Sequence, residues 1–382
     1  MKGHVGNRHQ RARHWVPPIW EFVLVCIVGI ALIFTTQRLA RMPGDAVSQA
    51  MRAAADTMQV AMDTLATHRT EHGPAIDPGT DINRTGLIGT FYSPLTTTVG
   101  NLEAKRTTTN PNMAAMLVDL LTEAGVKAGD FIAVGASGSF PALILATISA
   151  AQTLQARVGL IVSLGSSQFG ANIPEFTWLD MERILVEEGV FASQSVAASL
   201  GGDLDVARDL SGDVRSQLRE KVSTFSLALI HESDLVRNVQ QRMSIYRDAA
   251  SGERIAAFVN IGGAWANMGV DASILTALPG VIELDDLPTE GVRGVMHAMA
   301  AEHVPVIHLL NIKELVVRYG LPWDPSPLPT PGQGSTKTAR DGEQTLWPAM
   351  AYLAVVVIWL GSVALRRSLL RRRVIPIDTL GD

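Results

Sequence analysis

Ser137 and Ser139 stand in the turn Gly135-Ala136-Ser137-Gly138-Ser139, between an apolar run and a helix-like one. A second serine pair, Ser166 and Ser167, stands in the similar loop LGSSQFGANIPE. A serine on a strand-to-helix turn serves one of two chemistries. With a general base beside it, the hydroxyl is a nucleophile. Without one, it joins the free N–H groups and dipole at the helix start to hold a carboxylate or phosphate. A third reading is a turn of small residues that serves only close packing. The first turn falls one residue short of the nucleophile elbow G-x-S-x-G, because Ser139 takes the place of the last glycine. Ser137 is the candidate catalytic nucleophile. His231, His297, His303 and His308 are the available bases, and none sits in a recognisable motif.

A third polar stretch, LEAKRTTTNPN, sets Glu103, Lys105 and Arg106 beside Thr107, Thr108, Thr109 and Asn110. Two cations next to four side chains that can hydrogen-bond an anion make a clamp. The plain alternative is a solvated loop capping the next helix. The expected ligand-binding set is therefore Ser137, Gly138, Ser139, Ser166, Ser167, Glu103, Lys105, Arg106 and Asn110. Glu175, Asp180 and Glu182 follow the second serine loop, but acids at a helix start are explained by the helix dipole. His68-Arg69-Thr70-Glu71-His72 matches the zinc motif H-x-x-E-H, yet Gly73-Pro74 ends that helix at once and no third ligand is evident. Neither a metal nor a cofactor is expected.

These loops need a frame. Residues 131–136, 158–163, 255–260 and 304–310 are apolar runs, each followed or preceded by a helical segment, as in a parallel sheet covered on both faces. The fold class is thus α/β, a mainly parallel sheet with helices on both faces, here spanning residues 76–320. In such sheets ligands bind in the crevice at the carboxyl ends of the strands, where these polar loops converge. Residues 86–92 (GLIGTFY) read as a further strand. Residues 191–250 are mostly polar, broken by Gly201-Gly202 and Ser211-Gly212, and read as a helical insertion. Residues 45–70 carry an apolar stripe at spacings of three and four, so residues 37–75 form an amphipathic stalk or packing helix.

Both ends of the chain are apolar. Residues 19–36 hold one charge, Glu21, and residues 346–365 hold none, so both read as membrane helices. Basic tails at residues 1–18 and 366–382 put both termini in the cytoplasm and the central domain outside it. Residues 321–345 are a Pro/Gly/Ser linker. The lone cysteine, Cys26, falls in the first apolar segment, so the central domain has no disulfide. The tails and the flanking Arg38 and Arg41 hold 11 of the 32 Lys and Arg and, with Glu21, 3 of the 37 Asp and Glu. That leaves 21 against 34, a net charge of −13, for the central segment. Such a surface repels nucleic acid and other polyanions.

Four stretches carry a family resemblance: YSPLTTT from Tyr92, LEAKRTTTNPN from Leu102, GASGSFP from Gly135 and PEFTWLDME from Pro174. Over about residues 86–323 the chain resembles the bacterial poly-γ-glutamate system protein family. The resemblance implies an accessory membrane protein of a system that makes or exports poly-γ-glutamate, a secreted chain of isopeptide-linked glutamates. The implied partners are the system's other membrane proteins, the polymer or a glutamyl unit, and membrane lipid. It brings no activity and no catalytic residues with it. The charge of −13 adds a constraint: a chain end or single glutamyl unit in a pocket, rather than bulk polymer along the surface. The alternatives are a serine-dependent hydrolase or transferase on γ-glutamyl bonds, and a pure membrane scaffold for the synthetase.

Overall fold

The computed structural model describes residues 16–40, 45–192, 195–283, 285, 287–288, 290–333 and 346–372. The chain opens with α1 (Ile19–Ala40) and α2 (Asp45–His72), followed by β1 (Thr96–Thr98), α3 (Leu102–Thr108) and α4 (Asn112–Glu123). Strand and helix then alternate: β2 (Phe131–Ser137), α5 (Pro141–Thr153), β3 (Arg157–Ser163), a short β4 (Ser166–Ser167) and α6 (Trp178–Glu187). Next come β5 (Ser195–Ser199), α7 (Gly212–Thr224), β6 (Ala228–Ile230), α8 (Leu235–Ala250), β7 (Ile255–Ile261) and α9 (Trp265–Met268). β8 (Gly280–Ile282), α10 (Val295–Ala301), β9 (Val306–Leu309), α11 (Ile312–Tyr319) and α12 (Leu346–Arg372) complete the order.

Residues 44–338 form one unit and residues 1–43 with 339–382 another. In the first unit, seven strands make a sheet in the order β6-β5-β3-β2-β7-β9-β8. All pairings are parallel except β8 with β9. β2 and β7 are buried at every position, which is why both read as unbroken apolar runs. Side chains alternate across the sheet. Phe131, Ala133, Ile161 and Ala197 meet Met243 and Tyr246 of α8 and Met296 and Met299 of α10. On the opposite face α4 and α5 pack on each other and on α2. The stripe Met51, Ala54, Met58, Ala61, Met62 and Leu65 is the buried side of α2, which makes that helix part of the domain.

From β2 the chain steps outward through β3, β5 and β6, then returns to pair β7 with the other edge of β2. The loops after β2 and β7 therefore part, and a crevice opens at their carboxyl ends.

Three local expectations are corrected. Residues 86–92 are not a strand. Their carbonyls are taken by side chains instead: Arg69 Nη1 donates to Gly86 O (2.8 Å) and Ile88 O (2.9 Å), and Asn172 Nδ2 donates to Thr90 O (2.8 Å). Residues 191–250 are not a helical insertion, because β5 and β6 extend the sheet there. β5 reads SVAAS, with one β-branched apolar residue, Val196, among small side chains and polar ends, so its strand signature is weak. The stretch LEAKRTT is helix α3 rather than loop, capped by Asn101 Oδ1, which accepts from Ala104 N at 2.6 Å.

In the second unit α12 contains Tyr352–Leu369, long and apolar enough to cross a membrane; the apolar part of α1, Ile19–Ala31, is shorter. The two helices run antiparallel. Glu21 accepts from Arg366 (2.7 Å) and Trp359 (3.4 Å), while Gly29 lies against the Tyr352 ring. Phe22 and Trp359 stack edge to face at 4.7 Å. Most of the basic tail at 1–18, all of the C-terminal tail beyond 372 and linker residues 334–345 lie outside the described residues.

Candidate functional site

The crevice at the strand ends encloses about 430 Å³. Ser137 and Ser139 from the end of β2, Ser163 and Ser167 from β3 and β4, and Lys105 of α3 make one side. The loop after β5, with Gly202 and Asp205, and the loop after β7, with Trp265, make the other.

Each wall has a local cause. β4 pairs parallel with β1, Thr96 against Ser166 and Thr98 against Ser167, and this small ladder brings the following α3 over the strand ends. Ser166 is fully buried and holds the first serine turn from behind, its Oγ donating to Gly138 O at 3.1 Å. Ser137 Oγ donates to Ser139 Oγ (2.9 Å), which also accepts from Ser167 N (3.0 Å). At Gly262, φ is +79°, and an added Cβ would stand 3.3 Å from Ser137 Cβ and from the Phe140 ring. Only glycine serves there: it supplies the left-handed turn and lets the β7 loop approach the serine turn.

Lys105 is 3% exposed. Its Nζ donates to Ser139 O and to Ser167 Oγ (2.9 Å) and lies 3.6 Å from the Phe140 ring centroid. Among the described residues no carboxylate forms an ion pair with it. Burial without a counter-charge brings its pKa down to about 7.

Arg106, its neighbour, points elsewhere. It forms an ion pair with Asp324, and Asp324 N donates to Thr107 Oγ1 (2.8 Å), so α3 is tied to the chain beyond α11. Glu103 is exposed outside the crevice. Asn110 Oδ1 accepts from Asn112 N (3.0 Å) at the start of α4, which is the capping role. Of the expected ligand-binding set, Ser137, Ser139, Ser167 and Lys105 line the crevice, and Gly138 and Ser166 form its backing. Glu103, Arg106 and Asn110 lie away from it.

Ser137 does not sit in an elbow. It is a regular strand residue paired with Ser163, and its backbone is not left-handed. Among the described residues no histidine lines the crevice. His231 is exposed beside Arg219, and His297 bonds Pro288 O (2.9 Å) from α10. His308 is a fully buried core residue of β9, its pKa pushed down to about 4 by burial. His68 and His72 share a face of α2, and no third metal ligand joins them among the described residues.

The expectations from sequence missed Asp205. It is 4% exposed and accepts from Ser199 Oγ (2.7 Å), Asn238 Nδ2 (2.9 Å) and Arg242 Nη2 (2.7 Å). Ser163 Oγ joins this network through Ser199 Oγ at 2.8 Å. The nearest sequence signal was the break at Gly201-Gly202. Asp180 and Glu182 of α6 are outside the crevice. Asp180 forms the helix-start capping box with Thr177 and pairs with Lys221 at 2.5 Å. Glu182 is buried at 5% exposure, its pKa raised to about 7 by burial.

No family model, no curated protein and no solved structure matches the chain.

Proposed function

We propose that the chain is an accessory membrane protein of a poly-γ-glutamate synthesis or export system, whose crevice holds a glutamyl unit or chain end. The observation that carries the reading is Lys105: a buried, uncompensated lysine among serine hydroxyls at the switch point of an α/β sheet. A buried cation without a partner is costly, and a carboxylate arriving from solution supplies the missing charge. The sequence resemblance names the carboxylate as glutamyl. The net charge of −13 on the central segment fits one unit in a pocket rather than bulk polymer on the surface.

In this reading α1 and α12 both cross the bacterial cytoplasmic membrane, both termini are cytoplasmic, and the crevice lies outside the cytoplasm. The partners are the system's other membrane proteins, membrane lipid and the glutamyl ligand, with no nucleic acid. Away from ATP, a glutamyl carboxylate is a better occupant than a nucleotide phosphate.

Calorimetry of the full-length chain in detergent with short γ-glutamyl oligomers tests it. Lys105→Met should weaken binding by about 10- to 100-fold, the worth of a hydrogen bond to a charged group. Glu103→Gln, outside the crevice, should leave binding unchanged. Affinity should fall as pH rises through about 7, where Lys105 loses its charge. Binding that ignores both Lys105→Met and pH would remove the crevice from the account.

A further inference from the structure

Lys105 Nζ has three close neighbours: Ser139 O, the Phe140 ring face and Ser167 Oγ. A neutral amine has two hydrogens and one lone pair. The carbonyl and the ring face accept the hydrogens, which leaves the lone pair for the Ser167 hydroxyl at 2.9 Å. With its pKa near 7, a large share of the lysine holds that lone pair free at neutral pH. Ser167 is itself on the crevice wall, 7% exposed, so one oxygen is next to a base and open to a ligand. Ser137 has no such base: its proton goes to Ser139 Oγ.

We propose that Ser167 is a nucleophile and Lys105 its general base, in acyl transfer from a carboxamide or ester held in the crevice. The proposal rests on the glutamyl reading for its substrate class, since an isopeptide between glutamates is such a carboxamide. Ser167 Oγ attacks the carbonyl carbon as its proton passes to Lys105 Nζ. The C–N bond then breaks, the departing amine takes that proton, and the acyl group stays on Ser167 as an ester. Water attacks the ester carbon and gives a proton to Lys105. The C–Oγ bond breaks, and Ser167 regains its proton from Lys105. The carboxylic acid so formed ionises and leaves its proton on Lys105. A carboxylate beside a charged Lys105 is thus the product complex, and the binding described above is one protonation state of the catalytic site. An amine in place of water gives transfer in place of hydrolysis.

The test is a fluorophosphonate probe on the full-length chain in detergent, with the labelled residue located by mass spectrometry. Ser167 should be labelled, at a rate that rises with pH and levels off above about 7. Ser167→Ala should abolish labelling, and Lys105→Met should slow it by about 100-fold or more, the usual worth of a general base. Glu103→Gln should change nothing, and circular dichroism should report each variant folded. γ-Glutamyl oligomers should slow labelling by occupying the crevice. No label on the folded chain, a label at Ser137, or a rate that is flat with pH overturns the dyad. Oligomer binding that survives such a result leaves the proposed function standing. Labelling of Ser167 with no protection by oligomers upholds the dyad and overturns the glutamyl assignment.

Discussion

Arg242 Nη2 and Asp205 Oδ2 meet at 2.7 Å, with side-chain exposures of 0% and 5%. They are 37 residues apart in the chain and join α8 to the loop after β5. Through Ser199, which accepts from Arg242 (2.9 Å) and donates to Asp205 (2.7 Å), the pair fixes the carboxyl end of β5. Ser199 in turn holds Ser163 at the end of β3. One wall of the crevice is therefore set by a buried charge pair rather than by apolar packing.

Breaking this pair from one side leaves a charge buried without a partner. Arg242→Met should cost about 3–5 kcal/mol of stability in guanidinium unfolding at neutral pH. Adding Asp205→Leu should recover part of that loss, because the double variant holds no orphaned charge. A single variant within 1 kcal/mol of the parent would mean that water reaches Asp205.

Lys105 works against folding at neutral pH. Its pKa falls from 10.5 in an unfolded chain to about 7 when folded, so between these values the unfolded state binds the extra proton. The cost is absent above about 10.5, grows as pH falls and is complete below about 7. Lys105→Met should therefore stabilise the fold at pH 7 by on the order of 4 kcal/mol, seen as a higher melting temperature. The gain should shrink steadily toward pH 10. A margin that is constant with pH would place the lysine in water. Stability bought by losing this crevice cation would mark Lys105 as functional.

Glu182 behaves in the mirror sense. Its pKa rises from 4.5 to about 7 on burial, so the folded state holds a proton that the unfolded chain has released. The contribution is neutral below about 4.5 and turns destabilising as pH climbs to about 7, where it levels off. Glu182→Gln should be near neutral at about pH 4 and stabilising by ~3 kcal/mol at about pH 8. Paired unfolding curves at these two values decide it; equal effects at both would contradict a buried acid.

The sheet and its crevice could be read from the sequence because β2, β3 and β7 are continuous apolar runs and each ends in a Gly/Ser loop. Lys105 was legible as a cation in an acidic domain, but not its separation from Arg106. Adjacent side chains on a helix diverge by about 100°, and what read as a loop is helix α3. The dyad partner was hidden because Lys105 and Ser167 are 62 residues apart and meet only through the β1–β4 ladder. β5 was missed because SVAAS is mostly Ala and Ser, and β6 because three residues, Ala-Leu-Ile, are too short to show a period. Asp205 and Arg242 could not be singled out, since nothing local marks a residue whose partners come from other elements.

Gly202 holds the rim of the crevice in a conformation only glycine adopts readily, φ 63° and ψ −154°. The space beside it is already taken: an added Cβ would stand 2.4 Å from Asp209 Oδ1, which accepts from Asp203 N at 2.8 Å. Gly202→Ala should thus meet two penalties, backbone strain of about 1–3 kcal/mol and displacement of Asp209. Because Asp205 lies three residues on, the wall should shift with it, and oligomer affinity should fall along with stability. Asp209→Ala in the same chain removes the closest clash, leaving Thr97 Cγ2 at 3.1 Å and the backbone part. A double variant that recovers some stability, measured by unfolding, is the expected outcome. Full recovery would show that the glycine is needed for space alone, and no recovery that the backbone strain is the whole effect.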